Sequence, residues 1–264
     1  MPEHAHVFVA GLHRSGTSLL TRALASHPDA SSFAGTGFPE DEGQFLQRVY
    51  PVAKVYGGPG RFGFDPRAHL TEASALASAE AQARLGAEWG RHWDLSKRLL
   101  IEKSPPNLLK LRFLQRLFPE ASFVVMMRHP IAVALATQKW SRTSARSLLR
   151  HWLTCHEIFL RDAPSIRRLI VVRYEELVAD AGLVPRLQAE LGLEAVEPTI
   201  ARRAGVNERY FQEWSSGPSR HLRAALARRY ERRANRFGYS LRQPERRVAA
   251  QLGVPSLSGA EPRA

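Results

Sequence analysis

The stretch that most constrains this chain lies near its start. An unbroken apolar run, Val7-Phe8-Val9-Ala10, leads through Gly11-Leu12-His13-Arg14-Ser15-Gly16-Thr17-Ser18 straight into the helical Leu19-Leu20-Thr21-Arg22-Ala23-Leu24. Continuous rather than alternating apolarity suits a strand covered on both faces. A glycine-bearing turn between such a strand and a helix aims free backbone N–H groups at one point, where the helix dipole also favours negative charge. The order strand, turn, helix therefore predicts a phosphate cradle.

The same alternation continues downstream. Apolar runs at 123–127 and 169–172, and a shorter one at 99–101, are followed by helical patterns at 107–118, 131–140 and, after a short turn, 183–191. This predicts an α/β protein: a P-loop-like parallel β-sheet flanked by helices on both faces. Between 144 and 160, Leu148, Trp152, Cys155 and Phe159 share one helical stripe, so Cys155 reads as core. Glycines and prolines fill 54–69, which favours an ordered surface loop. From 243 the chain turns rich in Pro, Ser, Ala and Arg, which gives a single domain over 1–242 and a flexible C-terminal tail over 243–264.

Composition narrows the partners. The 264 residues hold 38 Lys plus Arg against 25 Asp plus Glu, a net charge of +13, so the surface attracts polyanions without choosing among them. Lysine is scarce: Lys54, Lys97, Lys103, Lys110 and Lys139 are all there are. One cysteine excludes an intrachain disulfide and a cysteine-based zinc cluster and fits a reducing, cytoplasmic compartment. No apolar run approaches the roughly 20 residues of a membrane-spanning helix, and no nucleic-acid recognition module is visible.

The turn has the spacing of a nucleoside-triphosphatase loop, Gly11 to Gly16 and then two more positions, but Thr17 stands where the phosphate-binding lysine belongs. A triphosphatase without that lysine loses a main source of charge stabilisation. Arg14, Ser15, Gly16, Thr17 and Ser18 instead offer a guanidinium fork, hydroxyls and backbone amides to one terminal phosphate.

Four segments resemble the sulfotransferase family, which uses 3′-phosphoadenosine 5′-phosphosulfate (PAPS) as sulfuryl donor. Gly11-Leu12-His13-Arg14-Ser15-Gly16-Thr17-Ser18 is similar to its 5′-phosphosulfate loop. Phe123-Val124-Val125-Met126-Met127-Arg128-His129-Pro130 is similar to its strand ending in Arg-x-Pro. Glu102-Lys103-Ser104-Pro105 resembles the Lys-Ser-Pro segment of the carbohydrate branch, and Arg173-Tyr174-Glu175-Glu176-Leu177 its Tyr-Glu-x-Leu. They span Val7 to Leu177 in the family's order; the loop is nearest the tyrosylprotein branch, the lysine segment nearest the glycosaminoglycan branch.

The resemblance implies roles. Arg128, at the carboxyl end of its strand, would bind the donor's 3′-phosphate. The family's serine eight residues on is here Ala136, with Thr137 next as a substitute. Lys103 would stabilise charge on the departing phosphate, and Tyr174 would pack near the nucleotide. Glu42 is the first choice of base and Glu40 the second, because Glu42-x-x-Phe45 echoes the glycosaminoglycan branch. His13 lies in the loop itself, and 202–223 has the arginines and aromatics of a lid. A sulfuryl group carries less charge than a phosphoryl group, so no metal is expected. The acceptor, whether small molecule, carbohydrate or peptide, and the oligomeric state are not legible. Two alternatives stay open: a P-loop kinase-like phosphotransferase, and a noncatalytic nucleotide-binding homologue.

Overall fold

A computed structural model of the chain describes residues 4–198, 203, 205–253 and 257. The first apolar run becomes β1 (Ala5–Gly11), the centre of a five-stranded sheet. Around it lie β2 (Ala30–Ser32), β3 (Leu99–Lys103), β4 (Ser122–Met127) and β5 (Leu169–Arg173), in the order β2-β3-β1-β4-β5, and each neighbouring pair is parallel.

The unbroken apolarity of the strands has a direct structural cause. Phe8 and Ala10 of β1 face one core together with Phe123, Val125 and Met127 of β4, while Val7 and Val9 face a second with Val124 and Met126. Successive side chains alternate sides, so a strand between two cores needs an apolar residue at every position. Helices α1 (Thr17–Ala25), α6 (Tyr174–Ala179) and α7 (Leu183–Glu190) close the second core. The larger first core lies under α2 (Ala79–Gly90), α3 (Leu111–Leu117), α4 (Pro130–Ser141), α5 (Ala145–Asp162), α8 (Glu208–Ser215) and α9 (Arg220–Asn235). The helix stripe predicted in α5 is present, and Cys155 is fully buried within it.

Some elements depart from expectation. The helix read over 107–118 starts late: Pro105-Pro106 force a tight 3₁₀ turn over Pro105–Leu109, and α3 begins only at Leu111. Edge strand β2 has three residues and little apolar content, too short for a periodicity to register. Helix α9 buries Leu226, Ala227, Tyr230 and Ala234, a stripe hidden among arginines. The loop at 54–69 is ordered by three short 3₁₀ turns and sinks Phe62 fully into the core.

Residues 243–253, placed in the tail by the sequence, lie against the body: Tyr239 bridges to Arg247, and Gln251 N–H donates to Arg236 O at 2.8 Å. The rest of that tail, 254–256 and 258–264, lies outside the described residues, as do 202 and 204 of the expected lid. Among the described residues no helix is long and apolar enough to cross a membrane.

Candidate active site

The strand order fixes where a site belongs. The chain runs from β1 outward to β2 and β3, then crosses to β4 and β5, so connections diverge on either side of β1. A parallel sheet binds ligands in that crevice at its carboxyl edge. Four segments arrive there: the turn after β1, Lys103 at the last position of β3, Arg128 just past β4, and Tyr174 just past β5.

The turn after β1 is a built cradle. Gly16 has φ 105°, and a Cβ there would lie 2.6 Å from Cδ2 of Tyr174, so only glycine lets the turn pass over that ring. Ser15 Oγ accepts from Leu12 N–H at 3.3 Å and Ser15 N–H donates to Leu12 O at 3.0 Å, which closes the turn. Ser15 and Thr17 are buried, whereas Arg14 is exposed in the left-handed region at φ 70°. Ser18 Oγ donates to Glu40 Oε2 at 2.9 Å.

Beside the cradle stand Lys103 and Glu42, the carboxylate expected as base. Lys103 Nζ donates to Glu40 O at 2.6 Å and lies 3.7 Å from Glu42 Oε1, and both side chains of this ion pair are buried. Burial pushes the Glu42 carboxyl above its ordinary range, against the pull of Lys103, and pushes the Lys103 ammonium below its own, against the pull of Glu42. Gln44 Nε2 donates to Glu42 Oε2 and so fixes its plane.

Across the crevice, Arg128 is 6% exposed and held on three sides. Its Nε donates to Asn207 Oδ1 at 2.9 Å, its Nη1 donates to Arg14 O at 3.0 Å, and its Cζ lies over the Tyr174 ring, 4.1 Å from the centroid. Its Nη2 is buried and makes no hydrogen bond. A buried guanidinium nitrogen without an acceptor is costly, and an anionic oxygen is its natural partner.

Comparison with known proteins gives this arrangement a lineage. Residues 6–198 match the model described as Sulfotransferase family. This chain belongs to the sulfotransferase family. It is 27% identical over 184 residues to protein-tyrosine sulfotransferase 2 of Gallus gallus, covering 65% of this chain and 46% of that protein. With protein-tyrosine sulfotransferase 1 of Danio rerio it shares 25% identity over 183 residues, covering 65% and 48%. The chain thus spans about half the length of these curated relatives. The sulfotransferase domain of the Synechococcus PCC 7002 olefin synthase has the same fold, with a TM-score of 0.53 and 21% identity over 90% of this chain and 96% of that one.

Other residues singled out in the sequence have surroundings of their own. Thr137 is buried and lines a small cavity with His13, Gly60 and Leu148. Ala136 is buried as well and offers no polar side-chain atom. His13 sits edge-on to Phe62 and Trp140, at 5.9 and 6.2 Å between centroids, and burial pushes its pKa down to about 3, so it stays neutral. The expected lid contributes α8, whose Tyr210 ring lies 5.7 Å from the Arg128 guanidinium.

Sequence reasoning assigned no role to Glu102, although it sits next to Lys103. Its carboxylate is fully buried, accepts from Ser104 Oγ at 2.6 Å and from Asn107 Nδ2, and packs so tightly on Gly43 that no side chain fits there. Burial raises its pKa to about 7. The sequence offered only its position, directly after the apolar run 99–101, where a carboxylate that becomes buried needs partners.

Proposed function

We propose that this chain transfers a sulfuryl group from PAPS to an acceptor hydroxyl by in-line displacement. The observation that carries the reading is the Lys103–Glu42 ion pair, buried at the mouth of a phosphate loop that has Thr17 in place of the triphosphatase lysine. In this reading Arg14, Ser15, Gly16, Thr17 and Ser18 hold the 5′-phosphosulfate, and Arg128 and Tyr174 hold the 3′-phosphorylated end. Glu40 releases Ser18 as the donor's anion takes its place. Glu42 accepts the acceptor's proton as the acceptor oxygen bonds to sulfur. The bond from sulfur to the bridging oxygen breaks, and its electron pair stays on the 5′-phosphate, where Lys103 donates a hydrogen bond.

The positions of Glu42 and Glu40 support Glu42 as the base. Glu42 is buried with a raised affinity for protons and faces Lys103, while Glu40 is exposed and already bonded to the loop. The curated relatives are named for protein tyrosine, which supports including a tyrosine hydroxyl among the acceptors tried. Incubation with ³⁵S-labelled PAPS and a panel of phenolic, sugar and peptide hydroxyl acceptors is expected to yield labelled product with matching release of 3′-phosphoadenosine 5′-phosphate. Stabilisation against heat by ATP, with none by 3′-phosphoadenosine 5′-phosphate, is the result that overturns the reading in favour of a kinase-like phosphotransferase.

A further inference from the structure

Asn207 opens α8, the position where an asparagine side chain ordinarily accepts a hydrogen bond from the helix's own first turn. Here it makes no such bond. Its carbonyl oxygen instead accepts from Arg128 Nε at 2.9 Å, and its amide nitrogen donates to Glu175 Oε1 at 2.7 Å. Glu175 in turn accepts from His129 N–H at 3.0 Å on the same oxygen and from the Tyr239 hydroxyl at 3.1 Å on the other. The amide therefore has one orientation, because only its oxygen suits the arginine and only its nitrogen suits the carboxylate.

We infer that Asn207 and Glu175 are a positioning pair for Arg128, and that this chain selects a 3′-phosphorylated nucleotide partly through these two residues, neither of which is placed to touch the phosphate. The inference rests on the reading of Arg128 given above and goes beyond the motifs that support it.

The geometry leaves a defined task. With Nε on Asn207, Nη1 on Arg14 O and one face on Tyr174, the guanidinium cannot rotate without breaking a bond, and Nη2 is the buried group left free. A fork held in one plane loses little freedom on meeting a phosphate. Remove Asn207, and Arg128 keeps its charge but loses the bond that fixes its plane. Asn207 also joins parts distant in sequence: α8 meets the β4–α4 junction through Arg128, and Glu175 brings in the segment after α9 through Tyr239.

The test measures binding of two probes, 3′-phosphoadenosine 5′-phosphate and adenosine 5′-phosphate, to the full chain by calorimetry. Wild type is expected to prefer the first. Asn207→Ala should weaken 3′-phosphoadenosine 5′-phosphate about tenfold and leave adenosine 5′-phosphate within about twofold, the scale of one charge-assisted hydrogen bond. Glu175→Ala should act in the same direction, and Glu175→Gln, whose carbonyl still accepts from Asn207, should restore most of the preference. In an Arg128→Ala background, Asn207→Ala should change neither affinity. Equal losses on both probes, an unchanged preference, or a full effect without Arg128 each overturn the inference. Should Asn207→Ala not fold, the Glu175 pair carries the same comparison. A wild type with no preference removes instead the reading of Arg128 on which the inference stands.

Discussion

Lys103 and Arg128 are both buried cations at the carboxyl edge of the strands flanking β1, but their surroundings differ in kind. Arg128 is surrounded by an amide, a backbone carbonyl and an aromatic ring, groups that fix its plane. Lys103 faces the Glu42 carboxylate at 3.7 Å, the buried Glu102 precedes it in β3 with its side chain on the opposite face, and burial has shifted all three from their ordinary values. One cation is held by shape and the other by proton-dependent charge. Binding the unchanging end of a nucleotide needs the first; a reaction in which a proton and a leaving group move needs the second.

The comparison is broken most directly at Lys103. Lys103→Met should lower kcat by about 10²- to 10³-fold, the usual loss of one donor aimed at developing charge, while the affinity for 3′-phosphoadenosine 5′-phosphate stays within a few-fold. Glu42→Gln should lower kcat on a similar or larger scale. The pH profile follows from the signs. Activity requires Glu42 deprotonated and Lys103 protonated, so kcat should rise through a pKa above 4.5 and fall through one below 10.5. Steady-state kinetics from pH 5 to 10 check this. A Lys103→Met variant that retains its turnover would show that the ion pair is structural.

A smaller effect sharpens the proton-dependent side. The pKa of Glu102 is raised to about 7 in the fold from 4.5, so the folded state binds the extra proton between those values. Its contribution to stability is complete below about pH 4.5 and is lost as pH rises through about 7, a change on the order of 3 kcal/mol. Glu102→Gln should therefore flatten the decline in chemical stability between pH 5 and 8. The neutral amide fits the site: Asn107 Oδ1 is buried without a partner, and a flip of that side chain offers it to the new amide. Denaturant midpoints across that range distinguish the outcomes, and parallel curves for the two proteins would place the titration elsewhere.

What could be read in the sequence and what could not follows the same division. Strands between two cores must be apolar throughout, so β1, β4 and β5, and the shorter apolar run of β3, were legible from local pattern, and chain order put Gly16, Lys103, Arg128 and Tyr174 at or just past their ends. Asn207 was not, because its partners lie 79 and 32 residues away in the chain and nothing local distinguishes it from a helix cap. Glu102 was hidden for the opposite reason: it lies inside a quoted motif, but its role depends on Gly43 and Asn107 closing over it. Edge strand β2 has only Ala30 and two serines, so no pattern could reveal it.

The smallest effect concerns the face of α4 turned toward Arg128. A helix advances about 100° per residue, so residues two apart point to nearly opposite sides, while residues three apart share one. Lys139 holds its Nζ 5.3 Å from the Tyr210 ring, the ring that Arg128 also approaches. Position 136 therefore shares the Arg128 side, and position 137 points away, into a cavity with room for about one water beside Gly60 and Leu148. Thr137 cannot take over the task of a serine at 136 by standing next to it. Thr137→Val should leave the affinity for 3′-phosphoadenosine 5′-phosphate within about twofold, since it removes a hydroxyl that the phosphate does not meet. Ala136→Ser should tighten that affinity and leave adenosine 5′-phosphate unchanged. A loss of about tenfold in Thr137→Val would mean that α4 presents its other face to the nucleotide. The rigid surroundings of Arg128 would then be one arrangement of two.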